Sequence, residues 1–319
     1  MIVITGGAGF IGSSLLHHLN KLGETDILLV DNLKKPSKWK NLVSAKYSDY
    51  VDKEDFLDLL FNDMLGKKPS IVYHMGACSN TSESNDHYLM HNNTVYTRDL
   101  ALYCQENKIP FIYASSAATY GDGKEGYRDT LDHLERYKPL NMYGYSKHLF
   151  DLWAQQNNWF NNITGCKFFN VFGPRENHKG DMRSLPTKVY PQVEAGKGIE
   201  LFRSHKDNYA HGEQCRDFIY IEDAVKIIAW FGKNPHVTGL FNIGRGEAVT
   251  WNRLAKALFS ACGQEEKISY VDMPEKLKPQ YQYHTCADMK QLREAGYIAP
   301  FLNIEESMKK FVTWHREHK

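Results

Sequence analysis

The stretch TGGAGFIG, residues 5–12, constrains the fold of this chain more than any other. It follows the apolar run IVIT and leads into an apolar pattern of helical spacing at 11–22. Gly6, Gly9 and Gly12 fit GxxGxxG, and the pattern GxGxxG fits as well. Glycines let the chain turn tightly and let phosphates approach the backbone, while a helix N-terminus offers free N–H groups and partial positive charge. The stretch predicts a βα unit that binds a dinucleotide. A glycine-rich turn without a ligand is the alternative.

Short β-branched runs alternate with helical patterns through the first half of the chain. This alternation predicts an α/β fold with a Rossmann-type, doubly wound parallel sheet. The predicted strands are 2–5, 27–30, 71–74, 110–115 and 165–171, and the predicted helices are 11–22, 53–61, 86–106 and 140–157.

The alternation stops after residue 171, which indicates a second domain. A strand and helix return at 216–231, and 239–244 again has a strand pattern. We therefore predict a dinucleotide-binding domain from 1–171 plus about 216–244. A smaller, mainly helical substrate-binding domain would comprise about 172–215 plus 245–319. The helices predicted there are a weak one at 184–195 and others at 251–262, 287–295 and 304–316.

Composition excludes several classes of function. The formal net charge of the 319 residues is +1, so no bulk field attracts nucleic acid or a membrane surface. The sequence enters a strand pattern at once and has no apolar run of about 20 residues, so we expect neither a signal peptide nor a membrane span. Six scattered cysteines without CxxC or zinc spacing predict reduced thiols, a cytoplasmic location and no metal site.

Asp31 ends the second predicted strand, where an acid accepts hydrogen bonds from a ribose 2′-hydroxyl. That position favours NAD. Asn32, Lys34, Lys35 and Lys38 follow directly, and such cations hold a 2′-phosphate when they face the ligand. They are equally compatible with a solvated loop, so the residues leave NAD and NADP open.

The stretch YGYSK begins the helix predicted at 140–157. Tyr143 and Lys147 are four residues apart and share a helix face. An ammonium nearby, together with the positive ring of an oxidised nicotinamide, favours the phenolate, which can act as a base towards an alcohol. Ser116 ends the preceding strand and can donate to the reacting oxygen, although turn formation also explains it. We expect Tyr145 to point away from this face and to be packed.

In combination, several motifs resemble the extended short-chain dehydrogenase/reductase family. They are TGGAGFIG, HMGACS, the asparagine pair at 92–93, SSAATYG, YGYSK and RDFIYIEDA, and the resemblance covers nearly the whole chain. Further stretches, among them PLNMYGYSK, FNVFGPRENHKG and LKPQYQYHT, resemble the branch that epimerises ADP-linked seven-carbon sugars for lipopolysaccharide inner-core synthesis.

This resemblance implies a tightly held NADP, with NAD as the alternative, and a homo-oligomer such as a pentamer. The carbon beyond the sugar ring is oxidised to a ketone and then receives the same hydride on its other face. Net redox is zero, so the cofactor stays bound. Tyr143 and Lys179 would be the two acid–base groups. Without the resemblance, Lys179 would be interpreted as a solvated charged residue in a loop.

The resemblance also assigns binding residues. The chain departs from the family pattern in three places. Asp181 replaces a serine, Lys188 replaces a histidine, and the loop at 203–215 is longer than expected. The cofactor residues would be Gly6, Gly9, Phe10, Ile11, Gly12, Asp31, Asn32, Lys38, Lys53, Met75, Gly76, Ala77, Cys78, Ser79, Asn92, Tyr143, Lys147, Val171 and Lys179. The substrate residues would be Ser116, Asn170, Asp181, Lys188, Phe202, Arg216 and Tyr281.

Three other functions remain to be weighed. A dehydratase of this fold places an Asp-Glu pair after the strand-end hydroxyl, where this chain has Ala117 and Ala118, which disfavours elimination of water. A UDP-hexose 4-epimerase uses the same serine, tyrosine and lysine. A non-catalytic dinucleotide-binding regulator tends to lose the tyrosine–lysine pair, which this chain keeps.

Overall fold

The computed structural model describes residues 1–318, and its largest feature is a seven-stranded parallel sheet. The strand order of that sheet is β10-β6-β5-β4-β1-β2-β3, which confirms the predicted Rossmann-type, doubly wound fold. The strands are β1 (Ile2–Thr5), β2 (Ile27–Asp31), β3 (Asp49–Asp52), β4 (Ile71–His74), β5 (Phe111–Ser116), β6 (Ile163–Phe168), β7 (Asn170–Phe172), β8 (Ile199–Phe202), β9 (Cys215–Tyr220), β10 (Gly239–Ile243), β11 (Ala248–Thr250) and β12 (Ile268–Val271).

Helices cover both faces of the sheet, because its strands alternate apolar side chains between two hydrophobic clusters. Ile4 and Leu29 join the cluster that includes α1 and α7, whereas Val3 and Leu28 join that of α2, α4 and α5. The helices are α1 (Phe10–Lys21), α2 (Lys53–Phe61), α3 (Asp86–Leu89), α4 (Tyr96–Glu106), α5 (Met142–Gln156), α6 (Leu185–Glu194), α7 (Ile221–Lys233), α8 (Trp251–Cys262), α9 (Lys290–Glu294) and α10 (Ile304–Glu317).

The remaining strands form two small sheets beside the large one. One has the order β11-β9-β7 and the other pairs β12 with β8. Helices α6, α8 and α10 pack together in this second region. The predicted division at 216 stays a prediction, to which the sheet topology adds one observation. Strand β9 belongs to a small sheet, while α7 and β10 return to the large one.

Three local predictions differ from the structure. The single strand predicted at 165–171 is interrupted at Phe169, so β6 stays in the large sheet and β7 joins a small one. The helix predicted at 86–106 contains a π-helical segment, Met90–Val95. Strands β3, β8, β11 and β12 were not predicted, since each is short and the last three lie outside the alternating half.

Two global predictions concern the cysteines and membrane-spanning helices. All six cysteines are free thiols, as predicted. Within residues 1–318, no helix combines the length and the apolar character needed to cross a bilayer.

Candidate functional site

The glycine-rich turn lies at the carboxyl edge of the sheet, where strand order reverses between β1 and β4. Gly6 has φ +66°, and a Cβ there would lie 2.7 Å from the Cα of Gly76, which follows β4. A Cβ on Gly12 would lie 2.1 Å from the carbonyl oxygen of Gly6. Side chains at either position would fill the turn, so the glycines keep the backbone N–H groups at the start of α1 open. This cradle fits the pyrophosphate of a dinucleotide.

A cavity of about 420 Å³ extends from this cradle along the edge of the sheet. The structure brings together in its wall all the residues that the resemblance assigned to the cofactor. They are Gly6, Gly9, Phe10, Ile11, Gly12, Asp31, Asn32, Lys38, Lys53, Met75, Gly76, Ala77, Cys78, Ser79, Asn92, Tyr143, Lys147, Val171 and Lys179.

Asp31 is 5 % exposed and is already bonded at the end of β2. Its carboxylate accepts hydrogen bonds from the backbone N–H of Ala8, at 2.8 Å, and forms an ion pair with Lys38. Lys35 also lines the cavity, whereas Lys34 lies outside it, 3.6 Å from Glu54. Lys38 therefore balances the charge of the Asp31 carboxylate, which was expected from the sequence to be free to accept a hydrogen bond from the ribose.

The turn at 75–79 is held by Asn93, which the site prediction missed. Its Oδ1 accepts from the Cys78 N–H at 2.8 Å, and its Nδ2 donates to the Cys78 carbonyl and to Ser146 Oγ, both at 3.0 Å. Neighbouring Asn92 instead accepts from Lys53 Nζ at 2.7 Å. The π-helical segment lets both consecutive asparagines bond at the site, and π-bulges often mark functional sites. The pair of adjacent asparagines at 92–93 was the sequence feature that could have indicated the role of Asn93.

Tyr143 and Lys147 project from the first two turns of α5 into the cavity. The helix starts there because Asn141 caps it, accepting from the Gly144 N–H at 2.8 Å. Ser116, the last residue of β5, hydrogen-bonds to the Tyr143 phenol. Tyr145 points away from the cavity as predicted, but it is 45 % exposed rather than packed.

Burial influences the pKa values of Tyr143 and Lys147 more than neighbouring charges do. It raises the pKa of Tyr143 above its usual value, and the hydrogen bond from Ser116 acts in the opposite direction. Burial also lowers the pKa of Lys147 to about 8, against the raising influence of Asp151. The prediction that Lys147 and the positive ring of an oxidised nicotinamide together favour the phenolate stays a prediction. The Lys147 Nζ donates to the carbonyl oxygen of Ala114 at 2.9 Å, and the phenol responds mainly to its loss of water.

Behind this pair lies a buried ionic cluster that sequence reasoning missed. Asp151 of α5 and Lys167 of β6 are 2.7 Å apart, and both side chains are 0 % exposed. Asp151 also accepts from Tyr113 and Ser115 of β5, each at 2.7 Å. Lys167 in turn donates to Thr119 at 2.7 Å. The cluster joins the tyrosine helix to the strand that ends at the site serine.

A second cavity, of about 480 Å³, adjoins the first. Of the residues assigned to the substrate, Asn170, Lys188, Phe202 and Tyr281 line this second cavity, and Ser116 lines the first. Both cavities share Phe169, Val171, Lys179 and Met182 in their walls.

Asp181 and Arg216 line neither cavity. Asp181 is exposed in the 3₁₀ segment Asn177–Met182. The guanidinium carbon of Arg216 lies 5.0 Å from the centre of the Tyr281 ring, so it is placed behind that wall residue. Trp251 donates its indole N–H to the Tyr281 hydroxyl at 3.0 Å, and it lines the second cavity although the sequence gave no sign of this.

The sequence and the fold of this chain both match those of known proteins. The model of the NAD dependent epimerase/dehydratase family matches residues 2–244. The chain belongs to that family. The likeness to individual relatives extends beyond the matched range. The ADP-L-glycero-D-manno-heptose-6-epimerase of Nitratidesulfovibrio vulgaris is 49 % identical over 98 % of this chain and 97 % of its own length.

Solved structures agree with the family assignment. The ADP-L-glycero-D-manno-heptose-6-epimerase of Helicobacter pylori superimposes with a TM-score of 0.81 at 27 % identity, covering 99 % of this chain and 96 % of that one. A UDP-N-acetylglucosamine 4-epimerase from Methanobrevibacter ruminantium gives a TM-score of 0.83 at 24 % identity, covering 100 % and 98 %. This second likeness concerns the fold alone. The family is described as NAD-dependent, and the cradle fits a nicotinamide dinucleotide.

Proposed function

We propose that this protein inverts C6 of the heptose in ADP-D-glycero-D-manno-heptose to give ADP-L-glycero-D-manno-heptose. The observation that carries the proposal is the junction of the two cavities, where Lys179 lines both the wall with Tyr143 and the wall expected to hold the sugar nucleotide. The 49 % identity to a heptose epimerase over nearly the full length supports this substrate class.

The chain's own residues provide binding and proton transfer. The bound dinucleotide supplies the reversible hydride transfer at the sugar carbon. The N–H groups of the glycine turn hold its pyrophosphate, and Lys147 holds its ribose. Ser116 and Tyr143 hydrogen-bond to the reacting oxygen. Burial raises the pKa of the Tyr143 phenol, while the positive ring of the oxidised nicotinamide favours the phenolate, so Tyr143 can take a proton from the substrate hydroxyl and return it to the ketone oxygen. Lys179 serves as the second acid–base group.

We further infer that the dinucleotide is NADP. Lys38 neutralises Asp31, so the carboxylate that would select a ribose 2′-hydroxyl is balanced by a cation. Lys35 and Lys53 line the same cavity and add positive charge for a 2′-phosphate. The chain is expected to keep this cofactor bound through purification, to act in the cytoplasm and to form a homo-oligomer.

The substrate is tested by incubating the purified protein with ADP-D-glycero-D-manno-heptose and following the 6-epimer by NMR. UDP-hexoses serve as comparison substrates, because a 4-epimerase shares the fold and the catalytic residues. Formation of the 6-epimer, with little turnover of UDP-hexoses, is expected. Absence of epimer from protein that carries intact dinucleotide would reject the proposal, and faster turnover of a UDP-hexose would favour the 4-epimerase.

The role of Tyr143 is tested by Tyr143→Phe. Loss of a positioned acid–base group lowers kcat by about 10²-fold or more. Tyr145→Phe is the matched control, since this tyrosine lies two residues further along the same helix and faces solvent. The control should keep wild-type activity. A Tyr143→Phe variant as active as the control would remove the phenol from the chemistry, and an inactive wild type would favour a regulator.

A further inference from the structure

We propose that Glu176 is the residue that positions Lys179 for acid–base work at the junction of the two cavities. This inference rests on the proposed epimerase function and adds a residue to it. Glu176 lies in the loop between β7 and α6, and its side chain is 0 % exposed. A carboxylate is buried in this way only when hydrogen bonds and a counter-charge compensate for the lost water.

The carboxylate of Glu176 is fully bonded to the loop around it. Its Oε1 accepts from the Gly173 N–H at 3.3 Å, from Ser184 Oγ at 2.6 Å and from Thr187 Oγ1 at 3.1 Å. Its Oε2 accepts from the Ser184 N–H at 2.9 Å and from Lys179 Nζ at 3.2 Å. One carboxylate therefore joins the start of the loop, its end, the first turn of α6 and the lysine between them.

The other side of the same loop is fixed to the cofactor cradle. Asn41 Nδ2 lies 3.1 Å from His178 Nδ1 and donates to the Ala8 carbonyl at 3.0 Å. The Lys179 ammonium itself stands 5.0 Å from the centre of the Phe10 ring, at the first residue of α1. Contacts on both sides thus bring the lysine against the glycine-rich turn.

A lysine needs such a partner because its four-carbon stem is flexible and its ammonium is a point charge. The Lys179 side chain keeps 21 % of its surface exposed, so packing alone does not enclose the ammonium or remove the freedom of its stem. The Glu176 carboxylate removes that freedom without reaching either cavity wall. It acts on the reaction through Lys179 and touches no ligand.

The test uses the intact protein with its bound dinucleotide, and it supplies each of the two C6 epimers separately. Reduction of the bound nicotinamide in a single turnover is followed by its near-ultraviolet absorbance. Since Tyr143 and Lys179 project from different elements, each is expected to deprotonate one epimer. Glu176→Gln should slow the reduction by about 10- to 100-fold with one epimer and leave the other near the wild-type rate. Thr187→Val, which removes one hydroxyl bond from the same carboxylate, should change both rates by the same small factor.

A double-mutant cycle with Lys179→Gln then separates positioning from general support of the fold. If Glu176 acts through Lys179, the double variant is no slower than Lys179→Gln alone with the affected epimer. Equal slowing with both epimers, no slowing with either, or losses that multiply in the double variant would each overturn the inference. Glu176→Asp replaces Glu176→Gln in the same cycle if the latter fails to fold. A wild type that reduces its cofactor with neither epimer would instead reject the proposed function.

Discussion

The substitution Asp151→Asn tests how much the buried cluster behind the catalytic pair contributes to the protein. In the native protein the Asp151 carboxylate contacts Lys167 at 2.7 Å, in surroundings where both side chains are 0 % exposed. An amide in its place leaves the Lys167 ammonium buried, with the Thr119 hydroxyl at 2.7 Å as a remaining partner. The change is small in volume, so the effect reports charge and hydrogen bonding rather than a cavity.

The expected loss of stability is large for a single isosteric change. Breaking a buried ion pair by removing one partner costs about 3–5 kcal/mol, because the remaining charge has lost both water and its counter-ion. Native domains are stable by about 5–15 kcal/mol in all, so the loss is easily measured by urea unfolding. The double variant Asp151→Asn/Lys167→Met should recover much of this loss, because neither charge is then buried.

The same substitution should also act on Lys147, one helical turn from Asp151. Asp151 raises the pKa of Lys147, which burial lowers to about 8. Cys78 raises it as well, while His74 of β4 is neutral, because burial lowers its own pKa to about 3. Removing the acid takes away a raising influence, so the pKa of Lys147 falls below about 8. The alkaline limb of the kcat profile should therefore shift to lower pH in Asp151→Asn.

Two results would refute this reasoning. A free energy of unfolding within about 1 kcal/mol of wild type would mean that the pair is not the support that its burial indicates. An unchanged alkaline limb, in a variant that is folded and active, would mean that Asp151 does not act on Lys147. Ser115→Ala is a suitable control, since it removes one hydrogen bond to the same carboxylate, of 2.7 Å, without changing charge.

Two further substitutions test the dinucleotide site. Lys38→Gln should weaken NADP binding by about tenfold or more and leave NAD binding unchanged or tighter, because Asp31 loses its counter-ion. Calorimetric titration with NADP and with NAD measures the two affinities. Equal losses of affinity for the two dinucleotides would contradict the prediction. Gly12→Ala should yield protein with little bound dinucleotide on denaturation and chromatography, since its Cβ would lie 2.1 Å from the Gly6 carbonyl oxygen. In the control Gly263→Ala the Cβ meets nothing within 4 Å, so the strain of φ +70° should lower stability only. Full retention of dinucleotide by Gly12→Ala would contradict the steric argument.

The sequence by itself determined the parts of this protein that depend on local pattern. The strands β1 and β4 lie where short apolar runs predicted them, and the helices α2 and α8 lie where helical patterns did, because both signals are visible within one segment. The glycine turn and the Tyr143–Lys147 pair were also readable, since each lies within a single turn or helix. Their place at the carboxyl edge of a parallel sheet follows from the strand–helix alternation.

Only the tertiary structure decided the contacts between segments that are distant along the chain. Asp151 meets Lys167, and Asn41 meets the loop of Lys179, through packing that no local pattern encodes. The surroundings of Tyr143 were decided in the same way. Spacing shows that a lysine is near, but burial depends on the whole surrounding fold, and loss of water is the largest influence on the pKa of Tyr143.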